Sequence, residues 1–138
     1  MARTVFRCRR RHFSAIFLRR DSTRSFFPAD FRNLRDCDLV IRRLREMHAA
    51  GKTVAAICAA PIVLHKAGLT GGRRITGYPG SEQMAPGLVY TGERTETDRG
   101  VVTGKGPGAA FEFAFALAAA LGSTAEEIRN VKQQMLVL

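Results

Sequence analysis

The segment Val54-Ala55-Ala56-Ile57-Cys58-Ala59-Ala60-Pro61 constrains the fold of this chain more than any other. Four apolar residues between Gly51-Lys52 and a cysteine have the length and composition of a short strand buried on both faces, as in parallel sheets. Pro61 then opens an apolar stretch, Ile62-Val63-Leu64-His65-Lys66-Ala67, which Gly68 closes. Proline lacks an N–H that the first turn of a helix leaves unused, and glycine readily ends a helix, so the stretch reads as helical. A strand that turns sharply into a helix presents the side chain at the turn, provided that small residues stand two positions to either side. Ala56 and Ala60 meet that condition, so Cys58 is a candidate nucleophile on an elbow. A helix N-terminus there favours a thiolate and offers backbone N–H groups, first that of Ala59, to an oxyanion. The competing reading is a buried cysteine that packs as a small hydrophobe.

The residues around this segment alternate between helical and strand patterns. Leu34, Cys37, Val40, Ile41, Leu44 and Met47 recur at helical spacing, with Asp36 or Asp38 as the cap and Gly51 just past the end. Ile75 marks a second short strand, and Thr95 to Thr103 alternates about Asp98-Arg99-Gly100 as a hairpin does. Gly106-Pro107-Gly108 opens a long helix through Phe111, Phe115, Ala118 and Leu121. A last helix begins at Ser123 or Thr124, each with a glutamate three positions on as a capping box. Helices interleaved with short apolar strands predict an α/β sandwich.

Charge divides the 138 residues unevenly. Residues 1–32 carry nine arginines and two aspartates, net +7, which leaves net +3 of the total +10 for the other 106 residues. The body is therefore only mildly basic, and nucleic acid is not an expected partner, since no recognisable binding fold accompanies the charge. No apolar run approaches the ~20 residues that span a bilayer. Cys8, Cys37 and Cys58 are too scattered for a disulfide framework or a zinc site, so no metal or other cofactor is expected and a reducing, cytoplasmic setting is.

Three separated motifs carry a resemblance: Val54 to Pro61, Ile75-Thr76-Gly77-Tyr78-Pro79, and Thr103-Gly104-Lys105-Gly106-Pro107-Gly108-Ala109-Ala110-Phe111-Glu112-Phe113-Ala114. In order and spacing they resemble the ThiJ/PfpI superfamily, in the branch of the Parkinson-disease-associated protein deglycase and the YajL-like bacterial proteins. The resemblance covers residues 33–138. It implies a flavodoxin-like (class I glutamine-amidotransferase-like) sandwich, usually a homodimer, with Cys58 reactive. It also implies glyoxalase or deglycase activity on methylglyoxal and its early adducts, oxidation of the cysteine, and chaperone-like protection under oxidative stress. By the same resemblance Ala59, Tyr78, Gly106, Pro107 and Gly108 line the pocket. The glycine-proline-glycine loop is equally a plain helix-start turn. Tyr78 stands where many members have a histidine, so a histidine-assisted proton transfer does not carry over. His48 and His65 are read as solvated or structural, and Tyr90, Glu93 and Glu96 as surface groups.

The family's domain begins with a strand, a glutamate that supports the cysteine thiolate, and a later Leu-Pro-Gly-Gly turn. None of these precedes Asn33, and the first glutamate is Glu46, within a helix. Codon degeneracy allows the DNA for Asp21 to Arg32 to be read one base out of register as Leu-Asp-Ala-Val-Val-Leu-Pro-Gly-Gly-Leu-Pro, which resembles the missing strand and turn. Residues 1–32 are accordingly expected to be an out-of-frame or disordered leader before an N-terminally incomplete domain at residues 33–138. A mitochondrial presequence and a phosphate-binding arginine cluster are the other readings of the leader. The expected function is that of a cysteine-dependent glyoxalase or deglycase, impaired by the missing groups. The alternative is a redox-sensing or chaperone-like protein, or an inactive gene product.

Overall fold

A computed structural model describes residues 31–137 and, through the backbone alone, residues 16 and 17. The readings made for the rest of the leader, Cys8 included, lie outside the described residues. In chain order the elements are strand β1 (Ile16–Phe17), helices α1 (Phe31–Arg35) and α2 (Asp38–Ala49), strand β2 (Val54–Ile57) and helix α3 (Pro61–Lys66). Strands β3 (Arg74–Ile75), β4 (Val89–Tyr90), β5 (Thr95–Asp98) and β6 (Val101–Gly104) follow, and helices α4 (Ala110–Ala120) and α5 (Ala125–Gln134) complete them.

Strand β2 lies at the centre of a four-stranded sheet of order β1-β2-β6-β5. It runs parallel to β6, with Val54 opposite Val101 and Ile57 opposite Gly104. Side chains alternate across a strand, and here the alternation separates two cores. Val54, Ala56 and Val101 join Leu44, Met47, Val63 and Leu64 beneath α1 to α3. Ala55, Ile57 and Val102 face Phe113 of α4 on the other side. Burial on both faces explains why β2 is continuously apolar, as a parallel strand between helical layers must be. This is the flavodoxin-like sandwich.

Local sequence signals account for most boundaries. The hairpin from β5 to β6 turns on Arg99 and Gly100, both at positive φ (46° and 80°), the pattern of a type I′ turn, whose handedness matches the twist of the strands. Between the two offered starts of α5, the chain uses Thr124, whose hydroxyl accepts from the Glu127 N–H while Glu127 accepts from the Thr124 N–H.

Two expectations need correction. The single helix from Leu34 is two helices, because the chain turns out of α1 at Asp36 and restarts with Cys37 as the extended N-cap of α2. Neither aspartate caps it; the Asp36 carboxylate is held by the Arg35 guanidinium at 2.7 Å. The N-terminally incomplete domain expected at residues 33–138 also implies an elbow strand left uncovered where its missing partners would lie. All four of its residues are instead buried, and two residues of the leader, Ile16 and Phe17, pair antiparallel with Ala56 and Ala55. The uncovered apolar surface lies elsewhere, on α4 and α5 and at their C-caps, where Phe111, Leu121, Val131 and Met135 are exposed.

Candidate functional site

Cys58 leaves β2 with φ at +65°, in the left-handed region that L-residues other than glycine, asparagine and aspartate seldom adopt. Such a conformation costs ~1–2 kcal/mol for a residue with a β-carbon, so its surroundings must enforce it. Here both backbone polar groups of Cys58 are tied. Its N–H donates to the Gly104 carbonyl at 2.9 Å, one step beyond the parallel ladder, and its carbonyl accepts from the Tyr78 N–H at 2.8 Å. The side chain is half-buried and in no disulfide. The helix does not begin at Cys58 as the spacing suggested. Residues 58–60 form a turn closed by the Ala60 N–H on the Ile57 carbonyl (3.2 Å), and α3 opens at Pro61. Among the described residues, no acceptor takes the Ala59 N–H, which leaves it open beside the cysteine.

The second part of the site is the strap Thr76-Gly77-Tyr78. A β-carbon at Gly77 would stand 3.0 Å from the Cys58 carbonyl oxygen and 3.1 Å from the Ser81 hydroxyl, so glycine is what lets this backbone approach the elbow. The strap is anchored from three directions. The Thr76 N–H donates to the Thr103 hydroxyl of β6 at 3.0 Å, the Thr76 hydroxyl donates to the Glu93 carbonyl at 2.5 Å, and the Tyr90 hydroxyl donates to the Gly77 carbonyl at 2.9 Å. Tyr90 is therefore no surface group. It is half-buried, and its phenol is held above the usual range by burial first and then by the nearby negative charge of Glu82, so it remains a protonated donor. Its apolar strand context hid this, because the partner is a carbonyl set by the pairing of Ile75 with Tyr90.

The third part is the glycine-proline-glycine loop. Gly106 is buried and extended, and its backbone lies against the Tyr78 ring, whose Cδ2 would be 3.7 Å from a β-carbon there. Pro107–Ala109 forms a short 3₁₀ turn before α4, with Pro107 and Gly108 exposed. The Gly108 carbonyl accepts from the Arg94 guanidinium, which also binds Glu112 (Nε to Oε1, 2.7 Å). The Glu112 carboxyl lies below its usual range because its own backbone N–H donates to it and Arg94 adds a further bond. Cys58, Ala59, Tyr78 and Gly106 thus gather at one end of β2 and β6, with Pro107 and Gly108 at the exposed end of the same loop.

The remaining candidates lie apart from the elbow. His65 bonds the Thr70 hydroxyl at 2.8 Å, and His48 shares its Nε2 with the Arg73 guanidinium at 3.0 Å. Burial and then the Arg73 charge lower the His48 pKa. Glu93 is exposed as expected, but Glu96 is not, since its side chain is 10% exposed beneath its 2.8 Å ion pair with Arg74. Among the described residues, the carboxylates that make side-chain hydrogen bonds (Asp36, Glu46, Glu96, Asp98, Glu112 and Glu127) all bind partners other than Cys58. Among the described residues no cluster of three histidine, cysteine, aspartate or glutamate side chains suited to a metal ion occurs, and no helix is long and apolar enough to cross a membrane. An apolar groove between α4 and α5, lined by Phe111, Ala118, Ile128, Val131 and Met135, shares no residue with the elbow.

Comparison with known proteins places this geometry in context. The model of the DJ-1/PfpI family matches residues 29–120. Protein dj-1beta of Drosophila melanogaster is 36% identical over 104 residues, which are 74% of this chain and 55% of that protein. The glutathione-independent glyoxalase DJR-1.2 of Caenorhabditis elegans is 34% identical over 82 residues, 59% of this chain and 44% of that one. Among solved structures, oxidized Toxoplasma gondii DJ-1 superposes with a TM-score of 0.71 at 31% identity, covering 81% of this chain and 60% of the other. The chain spans about half the length of the curated relatives it matches.

Proposed function

The chain belongs to the DJ-1/PfpI family, and on that premise we propose that it is a DJ-1-like stress-response protein whose Cys58 adds to methylglyoxal and similar small reactive carbonyls or their early adducts. The observation that carries this reading is the Cys58 elbow, a left-handed cysteine with both backbone polar groups tied and an open Ala59 N–H beside it. In the addition, the sulfur forms a bond to the carbonyl carbon, the carbonyl π pair moves to oxygen, and that oxygen takes the thiol proton. The Ala59 N–H is the donor that would meet the developing oxyanion, with Tyr78 and the Gly106-Pro107-Gly108 loop as the walls around it. The nematode relative named as a glyoxalase supports the substrate class.

Turnover by this chain is proposed to be weak. No carboxylate among the described residues hydrogen-bonds the thiol, so none of them is placed to take its proton as the sulfur attacks. A single oxyanion donor is worth ~10²- to 10³-fold in other enzymes, so a pocket in which the Ala59 N–H acts alone would lose most of its rate. The reaction needs no cofactor or metal, and the proposed setting is the cytoplasm, with a homodimer as the assembly.

A second reading, a redox sensor or chaperone-like protein, is supported by the half-buried thiol and by the oxidized state recorded for the Toxoplasma relative. Methylglyoxal consumption by the purified chain, compared with Cys58→Ala, tests the two. A slow consumption lost in Cys58→Ala supports carbonyl chemistry. Peroxide oxidation of Cys58 with no consumption supports the sensor and overturns the enzyme.

A further inference from the structure

Two peptide groups in series connect Tyr90 to the open donor beside Cys58. The Tyr90 hydroxyl donates to the Gly77 carbonyl at 2.9 Å. That carbonyl shares its peptide plane with the Tyr78 N–H, which donates to the Cys58 carbonyl at 2.8 Å. The Cys58 carbonyl in turn shares its plane with the Ala59 N–H, for which no described residue provides an acceptor. A peptide group whose oxygen accepts a hydrogen bond becomes a better donor at its nitrogen, so hydrogen bonds in a chain strengthen one another. We infer that Tyr90 is a positioning residue for the reaction of Cys58: its hydroxyl orients and polarises the Ala59 N–H through the Gly77–Tyr78 and Cys58–Ala59 peptides.

Several features make the relay directional and stiff. Tyr90 remains a donor at physiological pH, because burial and Glu82 oppose its ionisation. Gly77 has no β-carbon to hold the two peptides apart, and Thr76 is pinned to Thr103 one residue upstream. Neither end is free to drift. The Cys58 N–H is fixed to Gly104, so the Cys58–Ala59 plane has little freedom other than the one the relay sets. Tyr90 touches no reacting atom; it acts only through the peptides between.

This inference rests on the carbonyl-addition reading of Cys58, and one variant of the full chain separates the two. Tyr90→Phe retains the ring and removes only the hydroxyl. The affinity of Cys58 for methylglyoxal is read as protection of the thiol from iodoacetamide. Alkylation displaces iodide from carbon and generates no oxyanion, so its rate without methylglyoxal should stay within about twofold of the parent. Protection should require about two- to tenfold more methylglyoxal, the range that one neutral hydrogen bond is worth. In the ¹⁵N-labelled protein the Ala59 amide proton should move upfield, while Tyr90→3-fluorotyrosine, a stronger donor of the same shape, moves it downfield. The amide readout needs no substrate, so it judges the relay even if the parent protein shows no protection, a result that would instead remove the carbonyl reading. If the Ala59 resonance stays in place in both variants, Tyr90 does not position the site. Should Tyr90→Phe fail to fold, the fluorinated protein carries the same test.

Discussion

The Tyr78 N–H donates to the Cys58 carbonyl at 2.8 Å, and the residue before Tyr78 is a glycine whose missing β-carbon would stand 3.0 Å from that same oxygen. Gly77→Ala must therefore push the strap away from the elbow or distort Cys58. Overpacking of this kind costs about 1–3 kcal/mol. Urea denaturation should show a loss in that range, and a loss below about 0.5 kcal/mol, the usual range of a neutral surface change, would mean that the strap does not clamp the elbow.

The left-handed φ of Cys58 separates stability from chemistry at one position. Cys58→Gly and Cys58→Ala both remove the thiol, but only glycine adopts φ +65° without a β-carbon clash. The glycine variant should be the more stable of the pair by about 1 kcal/mol, net of its greater unfolded-state entropy. Equal midpoints in thermal and urea unfolding would show that the elbow is not strained.

His48 makes stability depend on pH in a defined direction. Burial and the Arg73 guanidinium lower its folded pKa below the ordinary 6.5, so the folded protein favours the neutral ring. The unfolded chain then takes up a proton first as pH falls. The contribution is complete above about pH 6.5 and is lost as the pH falls through that value toward the folded pKa. His48→Gln should flatten the decline in Tm between pH 7.5 and 5.5. An unchanged slope would place the origin of the decline elsewhere.

Phe111 of α4, Leu121 at its C-cap and Val131 of α5 are 51%, 66% and 45% exposed, an apolar surface of the kind that drives association. Sedimentation velocity should show weight-average mass rising with concentration, and the double variant Leu121→Glu/Val131→Glu should reduce the rise. A concentration-independent monomer in both proteins would contradict this.

What was legible in the sequence was set by short-range chemistry. Val54 to Ile57 had to be a strand buried on both faces, Pro61 had to start a helix, Asp98-Arg99-Gly100 had to turn a hairpin, and Ser123 or Thr124, each with a glutamate three residues on, had to cap α5. Each depends on residues within a few positions of one another, and the three motifs that marked the family share that locality. The break at Cys37 was less legible, because a helical periodicity of apolar residues runs straight across it and only the seating of α1 and α2 in one core selects two helices.

Tertiary structure alone decided which polar groups meet. Tyr90 reaches Gly77 from 13 residues away, His48 reaches Arg73 across 25, and Thr76 reaches Thr103 across 27. No local propensity encodes such pairings. They follow from which carbonyls and hydroxyls are left without partners once the sheet registers are set, since a buried polar group is costly unless it finds one. The sequence by itself determined that Cys58 would stand at the turn after a buried strand; only the packed structure decided that its carbonyl would be gripped by Tyr78, and Tyr78's peptide by Tyr90.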